Sequence, residues 1–176
     1  NGNTILNAAK AEIKGVEFET EIVPFEGMKL NGALTYLDAT YKSFDYTDIG
    51  TNGSKVLRDL SGFSLQNAPK WAGTAGATYE FALGAGKTVA SVVYTYTGKK
   101  YNYSLLNTPR ATVQPMHYVN ANLEWSPDNE RWTIGLWGRN LFDNRYINSV
   151  YDAPGVFGLV NYGPPREYGV TFKYNW

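Results

Sequence analysis

The sequence predicts an all-β protein, an antiparallel up-and-down β-barrel that spans a membrane. Apolar and polar residues alternate with period two in seven segments, which is the spacing of a strand with one apolar face. The connections between these segments alternate strictly between short and long, as in barrels with short periplasmic turns and longer extracellular loops. Aromatic residues occupy the ends of the segments, where amphipathic rings lie well at a membrane interface.

Composition limits the classes of protein that fit. Lys plus Arg and Asp plus Glu number 16 each in 176 residues, so no net charge argues for a nucleic-acid partner. Cys is absent, which excludes disulfides and thiolate metal sites. No run approaches the roughly 18 apolar residues of a spanning helix. The chain opens on Asn1-Gly2-Asn3 without a signal peptide, so we expect a mature or truncated piece.

The first two predicted strands are joined by a tight turn. Ala11–Val23 alternates apolar residues with glutamates. One face carries Val16, Phe18 and Ile22, and the other carries Glu17, Glu19 and Glu21. Pro24-Phe25-Glu26-Gly27 has the composition of a turn. The second strand is Leu30–Tyr41, with Leu30, Leu34 and Tyr36 in phase.

The next pair of strands follows a long connection. Ser43–Gln66 is rich in Gly, Asn, Asp and Ser without a sustained period, which predicts a long loop in which a short strand is possible. Trp71–Phe81 and Thr88–Thr97 then alternate again, on either side of a short turn at 83–87. These two segments predict a second antiparallel pair.

The last three strands repeat the same order of connections. Gly98–Met116 is a second long loop, Val119–Trp125 a strand, and 126–131 a short turn. In Trp132–Trp137 the last residue breaks the alternation, so its side chain points into the lumen or marks a bulge. Asp143–Pro165 is a third long loop. The strand Tyr168–Trp176 closes the series.

Charges and rings orient the predicted barrel. A Lys or Arg on the lipid face at midplane costs about 2–4 kcal/mol, so charged residues of the strands should share the lumenal parity, and these are Glu17, Glu19, Glu21, Glu80, Glu124 and Lys173. A shared aromatic rim is expected at the periplasmic end, from Phe25, Phe81, Trp125 and Trp132. Seven strands of roughly 9–12 residues span a bilayer but cannot close a barrel unaided, so we expect the natural protein to be longer.

Several motifs resemble those of TonB-dependent outer-membrane receptors. They lie at 11–19 (AEIKGVEFE), 33–41 (ALTYLDATY), 67–70 (NAPK), 138–146 (GRNLFDNRY) and 162–170 (YGPPREYGV). The resemblance implies that residues 1–176 are the C-terminal portion of a barrel of about 22 strands. It also implies a plug domain, a TonB box and N-terminal strands that this chain lacks. The protein would then lie in the outer membrane of a Gram-negative bacterium, with its C-terminus on the periplasmic side.

The resemblance further implies an activity and a set of partners. These receptors import scarce nutrients, most commonly ferric siderophores, with energy from TonB reaching them through the missing N-terminal part. Outer-membrane lipid surrounds the barrel, and the barrel-assembly machinery reads the C-terminal strand. In this sequence the assembly signal consists of Tyr168, Val170, Phe172, Tyr174 and Trp176. The final aromatic is commonly Phe in the family, so Trp176 is a departure.

Ligand contacts are expected from the long loops, because aromatic and Arg side chains stack on and pair with an anionic chelate. The candidates are Tyr46, Arg58, Tyr101, Tyr103, Arg110 and Tyr151. We expect no cofactor, no metal site and no catalysis. His117, the only histidine, could be the base of an outer-membrane hydrolase with Asn120 and Asn122 nearby, but its parity favours a rim residue. A passive porin-like or adhesin-like barrel is the alternative function.

Overall fold

The protein forms a single large antiparallel sheet with three small hairpins at one end. The structure is a computed structural model, and it describes residues 10–49, 53–102, 111–153 and 157–176. Its strands are β1 Lys10–Ile22, β2 Met28–Ser43, β3 Asp45–Ile49, β4 Lys55–Asp59, β5 Trp71–Ala82, β6 Gly86–Thr97, β7 Lys100–Tyr101, β8 Thr112–Val113, β9 Met116–Pro127, β10 Trp132–Arg139, β11 Ile147–Ala153, β12 Phe157–Tyr162 and β13 Glu167–Tyr174. No helix in the described ranges is long and apolar enough to cross a membrane.

The large sheet has seven strands in the order β1-β2-β5-β6-β9-β10-β13, each antiparallel to its neighbours. The seven strands predicted from the alternation are therefore confirmed, and so is the all-β, antiparallel class. Their lengths vary more than expected, from 8 residues in β10 to 16 in β2. Within the described residues, β1 and β13 each have one neighbour, so the sheet is open.

Each long connection contains a hairpin of its own. Strand β3 pairs with β4, β7 with β8, and β11 with β12. The first long loop, 44–70, thus contains two short strands, where the sequence had suggested that one was possible. All three hairpins lie at the same end of the sheet, called the long-loop end below. The opposite end carries the turns at 23–27, 83–85 and 128–131 and is called the short-turn end.

The strand register makes one face of the sheet apolar across all seven strands. Residues directly opposite each other share a face, and one such row runs through Ile22, Leu30, Ala77, Val92 and Ala121. These side chains are not covered by a second layer. Phe18 is 62% exposed and Val170 65%. A face this apolar and this exposed needs a partner.

The small buried core lies at the long-loop end and not on the sheet faces. Its buried hydrophobic residues are Ala39, Tyr41, Phe44, Leu60, Ala111, Val113 and Val150. Most of them lie in or beside the three hairpins. The hairpins therefore have their own packing, whereas the large sheet is a single layer.

The opposite, polar face carries the charges. The register places there the six charged residues assigned to the lumen, namely Glu17, Glu19, Glu21, Glu80, Glu124 and Lys173. Two ion pairs cross adjacent or nearby strands, with Lys87 Nζ 2.6 Å from Glu80 Oε1 and Lys173 Nζ 3.3 Å from Glu124 Oε1. The predicted lumenal parity of these six charges is confirmed. Towards the long-loop end of β1, however, Glu12 and Lys14 share the parity of Val16, so charged residues follow there on the apolar face.

Trp137 also lies on the polar face. Its register with Asn122 and Gly169 is continuous, so the break in the alternation is an inward-facing ring and not a bulge. A Cβ added at Gly169 would lie 2.6 Å from Trp137 Cζ2, which is closer than packed atoms tolerate. Gly169 therefore leaves the space that the indole ring occupies.

Aromatic rings border the apolar face at both ends. At the short-turn end the ring centroids of Trp125 and Trp132 are 5.1 Å apart, and those of Tyr174 and Trp176 are 5.4 Å apart. At the long-loop end Tyr36 and Trp71 are 4.8 Å apart, and Tyr96 and His117 are 5.1 Å apart. The apolar face is thus a band with an aromatic border above and below.

Candidate functional site at the long-loop end

The first hairpin is fixed to the end of β2. Tyr41, Phe44 and Leu60 form a buried cluster against which Tyr46, Phe63 and Leu65 pack. Backbone hydrogen bonds hold the returning chain, with Leu65 N donating to Ala39 O at 2.9 Å and Leu60 N donating to Phe44 O at 2.9 Å. This hairpin is therefore a packed lobe and not a loose loop.

Two predicted ligand residues meet on this lobe. Tyr46 and Arg58 are directly opposite in the β3–β4 register, so their side chains lie on the same face of the hairpin. Arg58 is exposed, whereas Tyr46 is partly buried with its ring 6.4 Å from that of Phe44. The pair combines a ring fixed by packing with an exposed arginine, which suits an anionic aromatic ligand.

The lobe also contains one perturbed carboxylate. The Ser61 hydroxyl and backbone N–H both donate to Asp59 Oδ1, and these hydrogen bonds lower the pKa of Asp59 below its usual value. The side chain thereby remains an anion that closes the turn after β4. Asp59 directly follows Arg58 in the sequence.

The Asn102 side chain connects the three hairpin regions. Its Nδ2 donates to Asn67 Oδ1 at 2.7 Å, and its Oδ1 accepts from Val150 N at 2.8 Å. Asn67 N in turn donates to Tyr101 O at 2.8 Å. The Asn102 amide, in the second loop, therefore links Asn67 near the end of the first loop to the buried Val150 in the third. Asn102 was not among the residues predicted from the sequence, because no periodicity or motif there marks a loop asparagine as a link between loops.

The remaining predicted ligand residues are distributed over the other two hairpins. Tyr101 lies on β7 with Lys99 Nζ 5.5 Å from its ring centroid. Tyr151 lies on β11 and is 37% exposed. Asn102 follows Tyr101 and Val150 precedes Tyr151. The hydrogen bond between Asn102 and Val150 therefore holds together the neighbours of the two tyrosines. Tyr103 and Arg110 fall outside the described residues.

A second polar network closes the turn after β10. Asn140 is fully buried at 0% exposure; its Nδ2 donates to Asn144 O and Pro164 O, both at 3.1 Å, and its Oδ1 accepts from Asn144 N at 3.0 Å. The backbone of Asn140 has a φ of 49°, a conformation that Asn tolerates better than most residues. Asp143 Oδ1 accepts from Arg166 N at 3.1 Å. The Asn-Leu-Phe-Asp motif is thus a staple between the starts of β11 and β13.

Tyr146 completes this staple. Gly163 N donates to Tyr146 O at 2.9 Å, and a Cβ at Gly163 would lie within 2.0 Å of the tyrosine ring. Partial burial, together with the neighbouring Tyr118, raises the pKa of Tyr146. The two rings meet edge to face at 5.9 Å. The phenol therefore stays neutral in its packed position.

The structure does not assemble a hydrolase site around His117. Its ring lies on the apolar face and shares a 2.7 Å hydrogen bond, through Nδ1, with Tyr94 OH. Asn120 pairs with Val93 and lies on the opposite face, as does Asn122. Among the described residues no cluster of three or more His, Asp or Glu side chains could hold a metal ion.

The predicted assembly residues lie at an open edge. Tyr168, Val170, Phe172 and Tyr174 lie on the apolar face of β13, all more than half exposed, and Trp176 follows the end of the strand. The Phe172 and Trp132 rings are 6.2 Å apart. The outer edge of β13 has no neighbour among the described strands.

A family model described as "TonB dependent receptor-like, beta-barrel" matches residues 1–141. The siderophore receptor PiuA from Acinetobacter baumannii is 20% identical, with a TM-score of 0.73 over 92% of this chain and 21% of its own. The ferric yersiniabactin uptake receptor FyuA from Yersinia pestis is 18% identical, with a TM-score of 0.78 over 97% of this chain and 24% of its own.

A third similar structure is BauA, the ferric preacinetobactin receptor from Acinetobacter baumannii. It is 21% identical, with a TM-score of 0.66 over 93% of this chain and 22% of its own. At these identities the likeness establishes a shared fold. The chain spans between about a fifth and a quarter of the length of the three structures.

Proposed function

This chain belongs to the TonB-dependent receptor-like β-barrel family, and on that premise we propose that it forms part of the wall of an outer-membrane receptor that imports a ferric siderophore. The polar face would line the lumen, and the long-loop end would face the cell exterior. The short-turn end and the C-terminus would face the periplasm. Further strands and a plug would come from residues beyond this chain, in keeping with the fraction of the similar structures that it spans.

The continuous apolar face is the observation that carries the membrane placement. Its aliphatic and aromatic side chains remain exposed on all seven strands, and two aromatic borders limit it. Lipid is the partner that such a band fits. The charges on the other face are satisfied by pairing, by water or by a plug inside the lumen.

The long-loop end supports capture of a metal chelate. Tyr46 and Arg58 share one face of the first lobe, and Tyr101 and Tyr151 lie beside the residues that Asn102 links. Ring stacking and guanidinium pairing match the groups that chelate iron, which are often aromatic or anionic. PiuA is a siderophore receptor, FyuA takes up ferric yersiniabactin and BauA is the receptor of ferric preacinetobactin, which supports the same ligand class.

Uptake of radioactive iron in cells tests the proposal. A strain lacking the full-length gene should lose uptake of one ferric siderophore, and a strain lacking TonB should lose it equally. The Arg58→Ala variant should raise the ligand concentration needed for half-maximal uptake by about 10-fold, if the guanidinium forms one charge-assisted hydrogen bond worth about 1.5 kcal/mol. Thr47→Ala, on the opposite face of the same hairpin, should leave uptake unchanged.

Three results would count against parts of this proposal. Uptake that persists without TonB would indicate a passive barrel, and ion conductance of the purified protein in planar bilayers would then confirm a porin-like function. Binding of bacteria to surfaces without any solute uptake would indicate the adhesin-like function. An Arg58→Ala effect no larger than that of Thr47→Ala would remove the first lobe from the binding site.

A further inference from the structure

The Asn102 side chain has one orientation that satisfies both of its partners. Val150 N is a main-chain donor 2.8 Å away, so the atom that faces it is the acceptor Oδ1. Nδ2 then faces Asn67 Oδ1 at 2.7 Å, which fixes the Asn67 amide as well. The two amides therefore form one directed chain of hydrogen bonds that begins in the third hairpin and ends in the first loop.

Asn67 is tied closely to the first lobe, the packed hairpin around Leu60. Leu65 packs against this lobe, and the two residues from Leu65 to Asn67 span at most about 7 Å. The main chain of Asn67 has a φ of 55°, and its N donates to Tyr101 O at 2.8 Å. A displacement of Asn67 is therefore passed on to the first lobe.

The second and third hairpins are joined by packing as well as by the Asn102 amide. Asn102 N donates to Ala111 O at 2.8 Å, which closes the second hairpin. Strand β8 carries the buried Val113, β11 carries the buried Val150, and the two strands are in contact. These two hairpins therefore form one unit, and Asn102 is its link to Asn67.

The first lobe has no comparable packing against that unit. Among the described strands, β3 and β4 make no extensive contact with β7, β8, β11 or β12. The connection therefore depends on the hydrogen bonds at Asn67, of which the one from Asn102 Nδ2 joins two side chains. A neutral hydrogen bond shifts an equilibrium by about 10-fold, so this link favours the joined arrangement and can still open.

We propose that Asn102 is a positioning residue for ligand capture, whose amide holds the first lobe and the third hairpin in one arrangement before a ligand arrives. The inference rests on the proposed function, because the candidate ligand residues Arg58 and Tyr151 lie on these two hairpins. A ligand that contacts both hairpins would otherwise have to order them on binding, and that ordering would reduce its affinity. Asn102 acts through this arrangement and not by touching the ligand.

Exchanging amides for carboxylates tests the hydrogen bond between the two side chains. Asn67→Asp keeps an acceptor for Asn102 Nδ2, and in Asn102→Asp the Asn67 amide can turn and donate instead. The double variant Asn67→Asp/Asn102→Asp places two carboxylates where the amide oxygen and nitrogen are 2.7 Å apart, and like charges at that distance repel. Asn67→Asp/Asn161→Asp is the matched control, since it adds the same two charges but puts the second on an exposed residue of β12.

Distances between spin labels measure the coupling without any ligand. The labels would be attached to cysteines replacing Leu57 on β4 and Leu159 on β12, which are 70% and 60% exposed, in the full-length receptor in lipid nanodiscs. Double electron–electron resonance should give one narrow distance distribution for the wild type, both single variants and the control, and a broad one for the double variant. Asn67→Gly, which removes the acceptor and accepts a positive φ, should also broaden it and carries the test if the double variant does not fold.

Uptake of radioactive ferric yersiniabactin and ferric preacinetobactin, the complexes of FyuA and BauA, measures the consequence for capture. The double variant should raise the concentration needed for half-maximal uptake by about 10-fold, the effect of one lost hydrogen bond. Its maximal rate should be unchanged, because the receptor that has bound its ligand is the same. A lower maximal rate at an unchanged half-maximal concentration would indicate a structural defect and overturn the positioning role.

An unchanged, narrow distance distribution in the double variant and in Asn67→Gly would also overturn the inference. Equal broadening in the charge control would do so too, because added charge and not the lost hydrogen bond would then be the cause. The proposed function fails separately from the coupling. A wild type that imports neither complex counts against the cargo, whereas the distances are measured without ligand and still decide whether Asn102 couples the hairpins.

Discussion

Replacing Asn140 by alanine should open the turn that joins β10 to the third hairpin. The side chain is fully buried and forms three hydrogen bonds, two to Asn144 and one to Pro164. Each contributes about 1 kcal/mol net, and the partners left without a bond add to the loss. Alanine at a φ of 49° costs about 1 kcal/mol more than a residue suited to that conformation. Together these terms predict about 3–5 kcal/mol of local destabilisation.

Hydrogen exchange of the full-length protein in lipid measures this locally. At 1.4 kcal/mol per factor of ten, even the lower figure predicts amide exchange about 100-fold faster. The effect should appear at Asn144, whose N–H donates to Asn140 Oδ1, and at Gly163, whose N–H donates to Tyr146 O. Amides in the middle of β10 should exchange as in the wild type, because the strand ladder does not depend on the turn.

Two further variants divide the effect into its causes. Asn140→Gly removes the same hydrogen bonds but accepts the positive φ, so its loss should be smaller than that of alanine by about 1 kcal/mol. Asn148→Ala changes an exposed asparagine of the same loop and should have no effect. Wild-type exchange at Asn144 and Gly163 in the Asn140→Ala protein would refute the staple.

Three more changes test other parts of the molecule. Gly169→Ala should lower the urea midpoint of unfolding, because overpacking against Trp137 costs about 1–3 kcal/mol. Asn102→Ala should raise the exchange rate of the Val150 amide, which donates to its Oδ1, by about 10-fold if one hydrogen bond of about 1.5 kcal/mol is lost. Trp176→Ser should reduce the amount of folded protein in the outer membrane severalfold, measured by heat-modifiable gel mobility, because it removes the terminal aromatic.

Each of these changes has a matched control in the same sheet or loops. Gly135→Ala faces the flexible Glu124 side chain at 3.3 Å and should cost less than Gly169→Ala; an equal loss would mean that the indole ring is not the cause. Asn161→Ala changes an exposed loop asparagine, and Val150 exchange should not respond to it. Trp176→Phe keeps an aromatic and should assemble normally. Normal yield of Trp176→Ser would exclude the terminal ring as an assembly signal.

The alternation of side chains was enough to predict the large sheet, its two faces and the end of the sheet at which each connection lies. Val16 and Phe18 against Glu17 and Glu19 have the period of a strand whatever its neighbours are, so the local pattern and the final structure agree. Trp137 could not be assigned in this way. Its position depends on Gly169, which lies on another strand, and a contact between distant residues leaves no period in the sequence.

The hairpins in the long loops were not predicted, apart from one short strand that was considered possible in the first loop, for a different reason. β3 and β4 have five residues each, which is too short for a convincing alternation. The signal that could have identified them is the dipeptide Asn52-Gly53 between two short runs, a strong hairpin signal. Burial of Asn140 was equally hidden, since an asparagine in a loop is normally exposed. Its motif drew attention through family resemblance and not through any physical property of the residue.

The folded hairpins make the long-loop end easy to change in evolution. The entropy cost of closing a flexible loop grows by only about 0.6 kcal/mol for each doubling of its length. The connection at 44–70 also stabilises itself through its own cluster around Leu60. New residues inserted in the connection between β3 and β4 would alter the proposed binding surface without altering the strand pairing below. One wall architecture can therefore carry different lobes, whereas the three-residue turn at 83–85 offers no such freedom.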